Sequence, residues 1–363
     1  MAQRQLVARN GEVGTNKYSM EKRFALVTGA SSGMGLEYAR SLAAKGHNII
    51  VVSNRDEDNK SVAAMLEKDY GVHAIPYYAD LSRFDSAQEI YDWTKSEGIV
   101  VDILISNAGL LVFNKLQNTP AKKVELIVGV HCVAPTNLCR LFGTDMVNRA
   151  AVLSDQRRSA AIRRELERAG LPVDNALAAN AEHASNADVA DNVKSKTDDV
   201  KSKNDESYGK LSWAAKRRVR RAAKIHKGEG GYVLIMSSLA AYLPYPTISL
   251  YSATKAYSKS LGTSLWHEYK DYGINVTTVC PSAVDTPLIT LRPSLRKLAR
   301  GLGVMITPQR LVNSALKALF RGKRLLVPSF VAKLALVFCS ILPQHCVNRI
   351  CHWPVLKRIF DAV

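Results

Sequence analysis

The chain has 363 residues, 47% hydrophobic and 23% charged, a globular balance that excludes a wholly disordered or collagen-like polypeptide. It is longer than one α/β domain needs, so the surplus is expected in insertions or tails. The net charge of +18 suits an anionic partner such as nucleic acid, lipid headgroups or a phosphorylated cofactor, without choosing among them.

The six cysteines, Cys132, Cys139, Cys280, Cys339, Cys346 and Cys351, are scattered. They make no disulfide framework and point to a reducing compartment. Residues 1 to about 22 are polar and aperiodic, read as a loose extension without the continuous apolar core of a secretory signal. A cytoplasmic location, or a peripheral one on the endoplasmic reticulum membrane, is expected. A short basic organelle-targeting segment remains an alternative.

Order begins at F-A-L-V-T-G-A-S-S-G-M-G, residues 24–35. Phe24 to Val27 reads as a buried strand, and Met34 to Lys45 places Leu36, Ala39, Leu42 and Ala43 on one helical stripe. Gly29, Gly33 and Gly35, with Ser31, Ser32 and Met34 between them, occupy the turn. There, bare backbone N–H groups and the positive end of a helix can meet a pyrophosphate. Asn48 to Ser53 is the second strand and His73 to Tyr78 the third. Short apolar runs alternating with helix-length segments predict a parallel sheet covered on both faces. Past the second strand, Ser53-Asn54-Arg55 comes before any acid. Dinucleotide folds place a ribose-binding acid there for NAD and a basic residue for NADP, so Asn54 and Arg55 favour NADPH over NAD.

Asp80 and Leu81 follow the third strand; a helix is predicted from about Arg83 to Glu97 and a strand from Val101 to Ser106, ending in Ser106-Asn107-Ala108-Gly109. The next helix, about Pro120 to Asn148, carries His131 near its middle, where a histidine is usually a hydrogen-bonded core residue.

From about 149 to 228 the pattern breaks into Ala, Asp, Asn, Ser, Lys and Arg with hardly any aromatic residue. Such a stretch buries too little apolar area to offset its ordering entropy, so a partly helical, largely mobile insertion is predicted. The basic run at 216–227 is read as a solvated or anion-facing helical face. No aromatic residue is interleaved there to stack bases, so nucleic acid is not the expected partner.

The sheet resumes at Tyr232 to Met236 and delivers Ser238; thirteen residues later comes Tyr251, with Lys255 four beyond it. On a helix these two share a face. A phenol with a pKa near ~10 exchanges protons poorly at neutral pH, and a nearby ammonium is expected to lower that value. Tyr251 could then exchange a proton with a carbonyl or alcohol oxygen that Ser238 holds from a second side. Ile274 to Cys280 is the following strand, and Pro281 to Pro287, including Val284 and Thr286, reads as a loop at its carboxyl end. Leu288 to Met305 has the basic, apolar character of a substrate cover; Thr307 to Arg321 is a helix begun by a Thr307 cap and Pro308, and Arg324 to Val327 is the last strand.

The apolar tail after Ser329 is too short to span a bilayer alone. It could lie in an anionic membrane interface, or cap the domain's own core or a second subunit. His345-Cys346 and Cys351-His352 lack the usual zinc spacing, so no metal is expected.

Taken together, T-G-A-S-S-G-M-G at 28–35, S-N-A-G at 106–109, Ser238, Tyr251-x-x-x-Lys255 and P-S-x-V-x-T at 281–286 resemble the short-chain dehydrogenase/reductase family, along about residues 24–330 apart from the insertion. The resemblance implies a Rossmann-type, doubly wound parallel sheet over 23–148 and 229–328, an insertion at 149–228 and a tail at 329–363. It implies that Gly29, Gly33 and Gly35 shape the diphosphate turn and that Asp80 and Leu81 meet the adenine. Asn107, Ala108 and Gly109 would lie beside the cofactor; Tyr251 would be the general acid, Lys255 its pKa-lowering and ribose-binding partner, and Ser238 the carbonyl-positioning group. Thr286, in the loop of Pro281 and Val284, would meet the carboxamide.

His131 stands where many members carry an asparagine whose main-chain carbonyl holds a relay water. It could keep that role, relay protons itself, merely kink the helix or mark reduced activity. The S-L-A-A-Y-L-P-Y-P run, the helix through Trp266 and His267 and the apolar tail are most similar to the branch of very-long-chain 3-oxoacyl-CoA reductases and 17β-hydroxysteroid dehydrogenases. An NADPH-dependent reductase of a lipid-like ketone is implied, with a weakly active scaffold as the alternative. Family members often pair through the helices that start near Pro120 and Leu250, so a homodimer is an open expectation. The insertion leaves the first of these on the side of the sheet opposite the strand carboxyl ends, and is expected to spare the site.

Overall fold

The computed structural model describes residues 23–173, 207–242, 247–285, 305–329, 331–334 and 336. Short apolar runs form the strands and a helix follows most of them. β1 (Arg23–Thr28) leads through the glycine turn to α1 (Gly33–Ala43), β2 (Asn48–Ser53) to α2 (Asp56–Tyr70), and β3 (Ala74–Tyr78) to α3 (Ser86–Ser96). β4 (Val100–Ser106) is followed by α4 (Ala121–Val128), a single π-helical turn at Gly129–Val133, and α5 (Ala134–Arg168). After α6 (Trp213–Ala222) come β5 (Gly231–Met236), α7 (Ser249–Tyr269) and β6 (Ile274–Val279). β7 (Ala283–Val284), β8 (Met305–Ile306), α8 (Pro308–Phe320) and β9 (Leu325–Leu326) complete the named elements.

Local chemistry sets the helix ends. α2 opens on Asp56, Glu57 and Asp58, which complement the positive helix end, and stops at Gly71, whose φ of 66° is left-handed. α8 starts as its sequence predicts, with the Thr307 hydroxyl accepting from the Arg310 N–H and Pro308 in the first turn.

Seven parallel strands lie in the order β3-β2-β1-β4-β5-β6-β9. The direction of winding reverses between β1 and β4, so this is the doubly wound sheet the sequence implies, and the crevice at that switch point is where a ligand can enter. Both faces are covered. Ala25 and Val27 pack with Leu42 of α1 and Val312 and Leu316 of α8, while Phe24 and Leu26 pack with Ile90 of α3 and Leu138 and Phe142 of α5. Two covered faces explain why β1 reads as a continuous apolar run rather than an alternation. Truncating Leu26, wholly buried, to alanine would cost about 2–5 kcal/mol.

Arg149–Ile225 forms a compact unit apart from the sheet domain. Ala161, Ile162 and Leu166 of α5 bury against Leu211, Ala215 and Val219, with Leu171, Val173 and Tyr208 around them. Glu165 pairs with Arg218, 2.9 Å from its Nε, and with Arg168 at 2.9 Å, and these partners hold its carboxyl below the usual range. In the described part of the insertion the few apolar residues recur at helical spacing and meet in one cluster.

Two expectations change. The helix expected to end near Asn148 is broken by the π turn and then continues to Arg168. The Pro281–Pro287 loop contains β7, which pairs in parallel with β8 at Ala283↔Met305 and Val284↔Ile306; two residues carry no periodic signal. At the start of the tail, Ala332 packs with Cys280 and Val327, and the tail beyond residue 336, with Cys339, Cys346 and Cys351, lies outside the described residues.

Candidate active site

β1 and β4 end side by side at the switch point, and Thr28 stitches them. Its hydroxyl donates to the Ile105 carbonyl at 3.3 Å and accepts from the N–H groups of Asn107 and Ala108, each at 3.0 Å. The Asn107 amide donates to the Thr28 carbonyl at 3.0 Å. Gly29 and Gly33 take φ values of 67° and 56°, a region that suits glycine. Gly35 lies so close that a Cβ would collide with the Gly29 carbonyl and sit 2.8 Å from the Asn107 amide nitrogen.

A dinucleotide fits these residues on three observations. At Gly29 and Gly35 the turn leaves no room for a side chain, and the Ser32 side chain leaves the first N–H groups of α1 uncapped. The Asn107 Oδ1 is buried with no partner among the described residues. Bare helical N–H groups of this kind are what a diphosphate binds.

On the other side of the crevice, Ser238 caps a 3-10 turn, Leu239–Ala241, and its hydroxyl accepts from the Ala240 N–H at 3.2 Å. Tyr251 lies in the first turn of α7, with Lys255 one turn on. Burial raises the Tyr251 phenol pKa above its ordinary value, and the neighbouring Ser238 side chain lowers it only in part. Burial brings Lys255 down to about 8. Its Nζ donates to the Met236 carbonyl at 3.1 Å and lies 5.7 Å from the Tyr251 ring centroid. The expected lowering of the Tyr251 pKa by Lys255 is therefore not seen: desolvation dominates, and the ammonium is aimed at a carbonyl. Ser237 fixes the helix from beneath, its hydroxyl donating to the Lys255 carbonyl at 2.7 Å.

His131 is brought into the same group. Its buried ring lies edge-on to Tyr251, with centroids 5.7 Å apart. A Cβ on Gly109 would lie 3.0 Å from His131 Nε2 and 3.5 Å from Lys255 Nζ, so glycine lets all three meet. Both ring nitrogens are engaged: the Leu110 N–H donates to Nε2 at 3.0 Å, and Nδ1 lies 2.9 Å from the Thr254 hydroxyl. The His131 carbonyl, where the resemblance would place a relay water, accepts from the Ser258 hydroxyl at 3.2 Å.

Arg55 is exposed just beyond β2, 3.5 Å from Asp58, beside the exposed Asn54. One Asp80 oxygen accepts from the Ser82 N–H and hydroxyl, at 3.0 and 2.8 Å, and Leu81 is buried. The Pro281 carbonyl accepts from the Leu239 N–H at 2.8 Å, which ties its loop to the Ser238 turn, and Val284 is buried in β7. Thr286 lies outside the described residues. Sequence reasoning missed Thr28, Thr254, Ser258 and the Met236 carbonyl. Only Thr28 had a signal, a hydroxyl at the strand end directly before the glycine turn.

The short chain dehydrogenase family model matches residues 23–153 and 149–294 in two stretches. Among curated relatives, the chain is 23% identical over 263 residues to a probable oxidoreductase, EphD, of Mycobacterium tuberculosis, covering 72% of this chain and 31% of that protein. It is 22% identical over 303 residues to a very-long-chain 3-oxoacyl-CoA reductase of Phaeosphaeria nodorum, covering 82% of this chain and 64% of the relative. The chain thus spans about a third and just under two thirds of these relatives. A short-chain dehydrogenase from Sphingobium yanoikuyae in complex with NADPH superposes with a TM-score of 0.56 at 19% identity, covering 89% of this chain and 97% of that one, which shows the shared fold. With the family model matched across both halves of the sheet, the chain belongs to the short-chain dehydrogenase family of oxidoreductases.

Proposed function

We propose that the protein is an NADPH-dependent reductase of an apolar, lipid-like ketone, with Tyr251 as the general acid. The observation that carries this reading is that Tyr251 opens α7 with Lys255 one turn on and that the Ser238 side chain acts on the Tyr251 phenol. When bound, the nicotinamide supplies the hydride. Ser238 holds the ketone oxygen and steadies the negative charge developing there, while Tyr251 delivers the proton to that oxygen. Lys255 lies beside Gly109 and its charge is suited to a ribose hydroxyl.

The segment leaving β4 supports an apolar substrate. Leu110, Leu111 and Val112 are half-buried after Gly109, and Phe113 and Leu116 are exposed. This segment is tied to the start of α7 by a second bond, from the Asn114 N–H to the Thr247 carbonyl at 2.7 Å. A large apolar substrate suits such a rim. The sub-branch likeness and the basic surface favour a 3-oxoacyl-CoA ester over a steroid, because an acyl-CoA also carries phosphates. The exposed Arg55 favours NADPH by the charge it offers a 2′-phosphate. Peripheral membrane contact by the tail and a homodimer are further parts of this reading.

An NADPH-oxidation screen with 3-oxoacyl-CoA esters of graded length beside steroid ketones tests the proposal. Turnover that rises with acyl length supports it. Tight NADPH binding with no turnover of any ketone would replace it with a non-catalytic reading.

A further inference from the structure

We propose that His131 is a positioning residue for Tyr251, clasping the segment after β4 to the helix that carries the acid, and that it carries no protons itself. The inference rests on the reductase reading for its kinetic consequences but not for its geometry.

A backbone amide can only donate, so the Leu110 N–H at 3.0 Å from Nε2 fixes that nitrogen as the bare one. The proton of the neutral ring is then on Nδ1 and points to the Thr254 hydroxyl at 2.9 Å. Thr254 in turn donates to the Tyr251 carbonyl at 2.9 Å. Every hydrogen in this series has one consistent place: Leu110 N–H to His131, His131 to Thr254, Thr254 to Tyr251. Ser258 closes the other side, its hydroxyl lying 3.2 Å from the His131 carbonyl and 3.0 Å from the Thr254 carbonyl. The ring thus ties the main chain at position 110 to the main chain of the acid itself.

The same contacts oppose a relay. A proton arriving on Nε2 would face the Leu110 N–H, two donors head to head. The charged and titratable groups that face the ring are Lys255 and Tyr251 of α7 and Cys132 next to it in the π turn. The Lys255 ammonium repels an imidazolium, and no carboxylate is among those groups to offset it. Burial acts in the same direction. A π turn at Gly129–Val133 is what the chain uses to aim this ring, since an added residue in a helix rotates the side chains that follow.

The test uses full-length protein with nitrogen-labelled histidine. The His131 resonances, assigned by their loss in His131→Asn, are expected to show a bare Nε2 and a protonated Nδ1, unchanged from about pH 5 to pH 8 where an ordinary histidine titrates. A ring that titrates in that interval, or the opposite tautomer, overturns the proposal, whether or not any ketone is turned over. In the kinetic arm, His131→Ala and Thr254→Val are each expected to lower kcat by about tenfold to a hundredfold per folded molecule, with the KM for NADPH little changed. The double variant should lose no more than the worse single one, because both break one series. Wild-type kcat in both variants, additive losses, or a pH profile that shifts in His131→Ala would each contradict it. If His131→Ala fails to fold, Thr254→Val and the resonances decide.

Discussion

The Nζ of Lys255 donates to the main-chain carbonyl of Met236 at 3.1 Å, inside a pocket that brings its pKa to about 8. The carbonyl joins the end of β5 to α7 and so fixes the side chain that the reductase reading places on a ribose. Because the charged form is needed there, turnover is expected to fall as pH rises through about 8. Above that value kcat/KM should drop tenfold per pH unit. A Lys255→Arg variant, charged throughout, should lack this limb whatever its absolute rate; a limb unchanged in that variant would assign it elsewhere.

His131 predicts an effect on stability. Its pKa is lowered from 6.5 to about 2, with burial the larger cause and Lys255 the lesser. The folded ring stays neutral while the unfolded one binds a proton below about 6.5, so the contribution is present above that pH and lost as pH falls through and below it. The slope is at most one proton, about 1.4 kcal/mol per pH unit. Urea unfolding of the wild type and His131→Asn at pH 7 and pH 5 should show the wild type losing more stability between the two; parallel losses would contradict it.

Gly35→Ala places a methyl against the Gly29 carbonyl and 2.8 Å from the Asn107 amide. Neither neighbour can yield, since one is backbone and the other is bonded to the Thr28 carbonyl. A loss of about 1–3 kcal/mol is expected, with a collapse of NADPH binding. Thermal unfolding and cofactor fluorescence check both, and wild-type values would show that the turn is looser than described.

Arg55→Ala tests cofactor choice. Among the described residues Arg55 has the exposed Asp58 at 3.5 Å as its ion-pair partner, and it is itself exposed. Removing one charge-assisted contact of about 1.5–3 kcal/mol should raise the KM for NADPH roughly tenfold to a hundredfold and leave that for NADH nearly unchanged. Equal effects on both cofactors would sink the NADPH preference.

The sheet was legible because parallel strands buried on both faces leave uninterrupted apolar runs, and Asn48–Ser53 reads directly as β2. Ser238, Tyr251 and Lys255 were legible because strand end and helix pitch place them locally. What joins them was not. The pairing of His131 with Thr254 spans 123 residues, and the Lys255 partner is a carbonyl, which any residue type supplies. The π turn has no sequence period of its own. In the insertion, an average over eighty residues does not show that six apolar ones meet in one cluster. The direction of the Tyr251 pKa also escaped the sequence, since charge spacing is visible there and desolvation is not.

The central claim is that Tyr251 donates the proton. Tyr251→Phe keeps the ring and its edge-on contact with His131 but removes the hydroxyl that would give the proton. With an accepted ketone, kcat is expected to fall by at least about a hundredfold while NADPH fluorescence titrates as in the wild type. Turnover retained by Tyr251→Phe within a few-fold of the wild type would contradict the account.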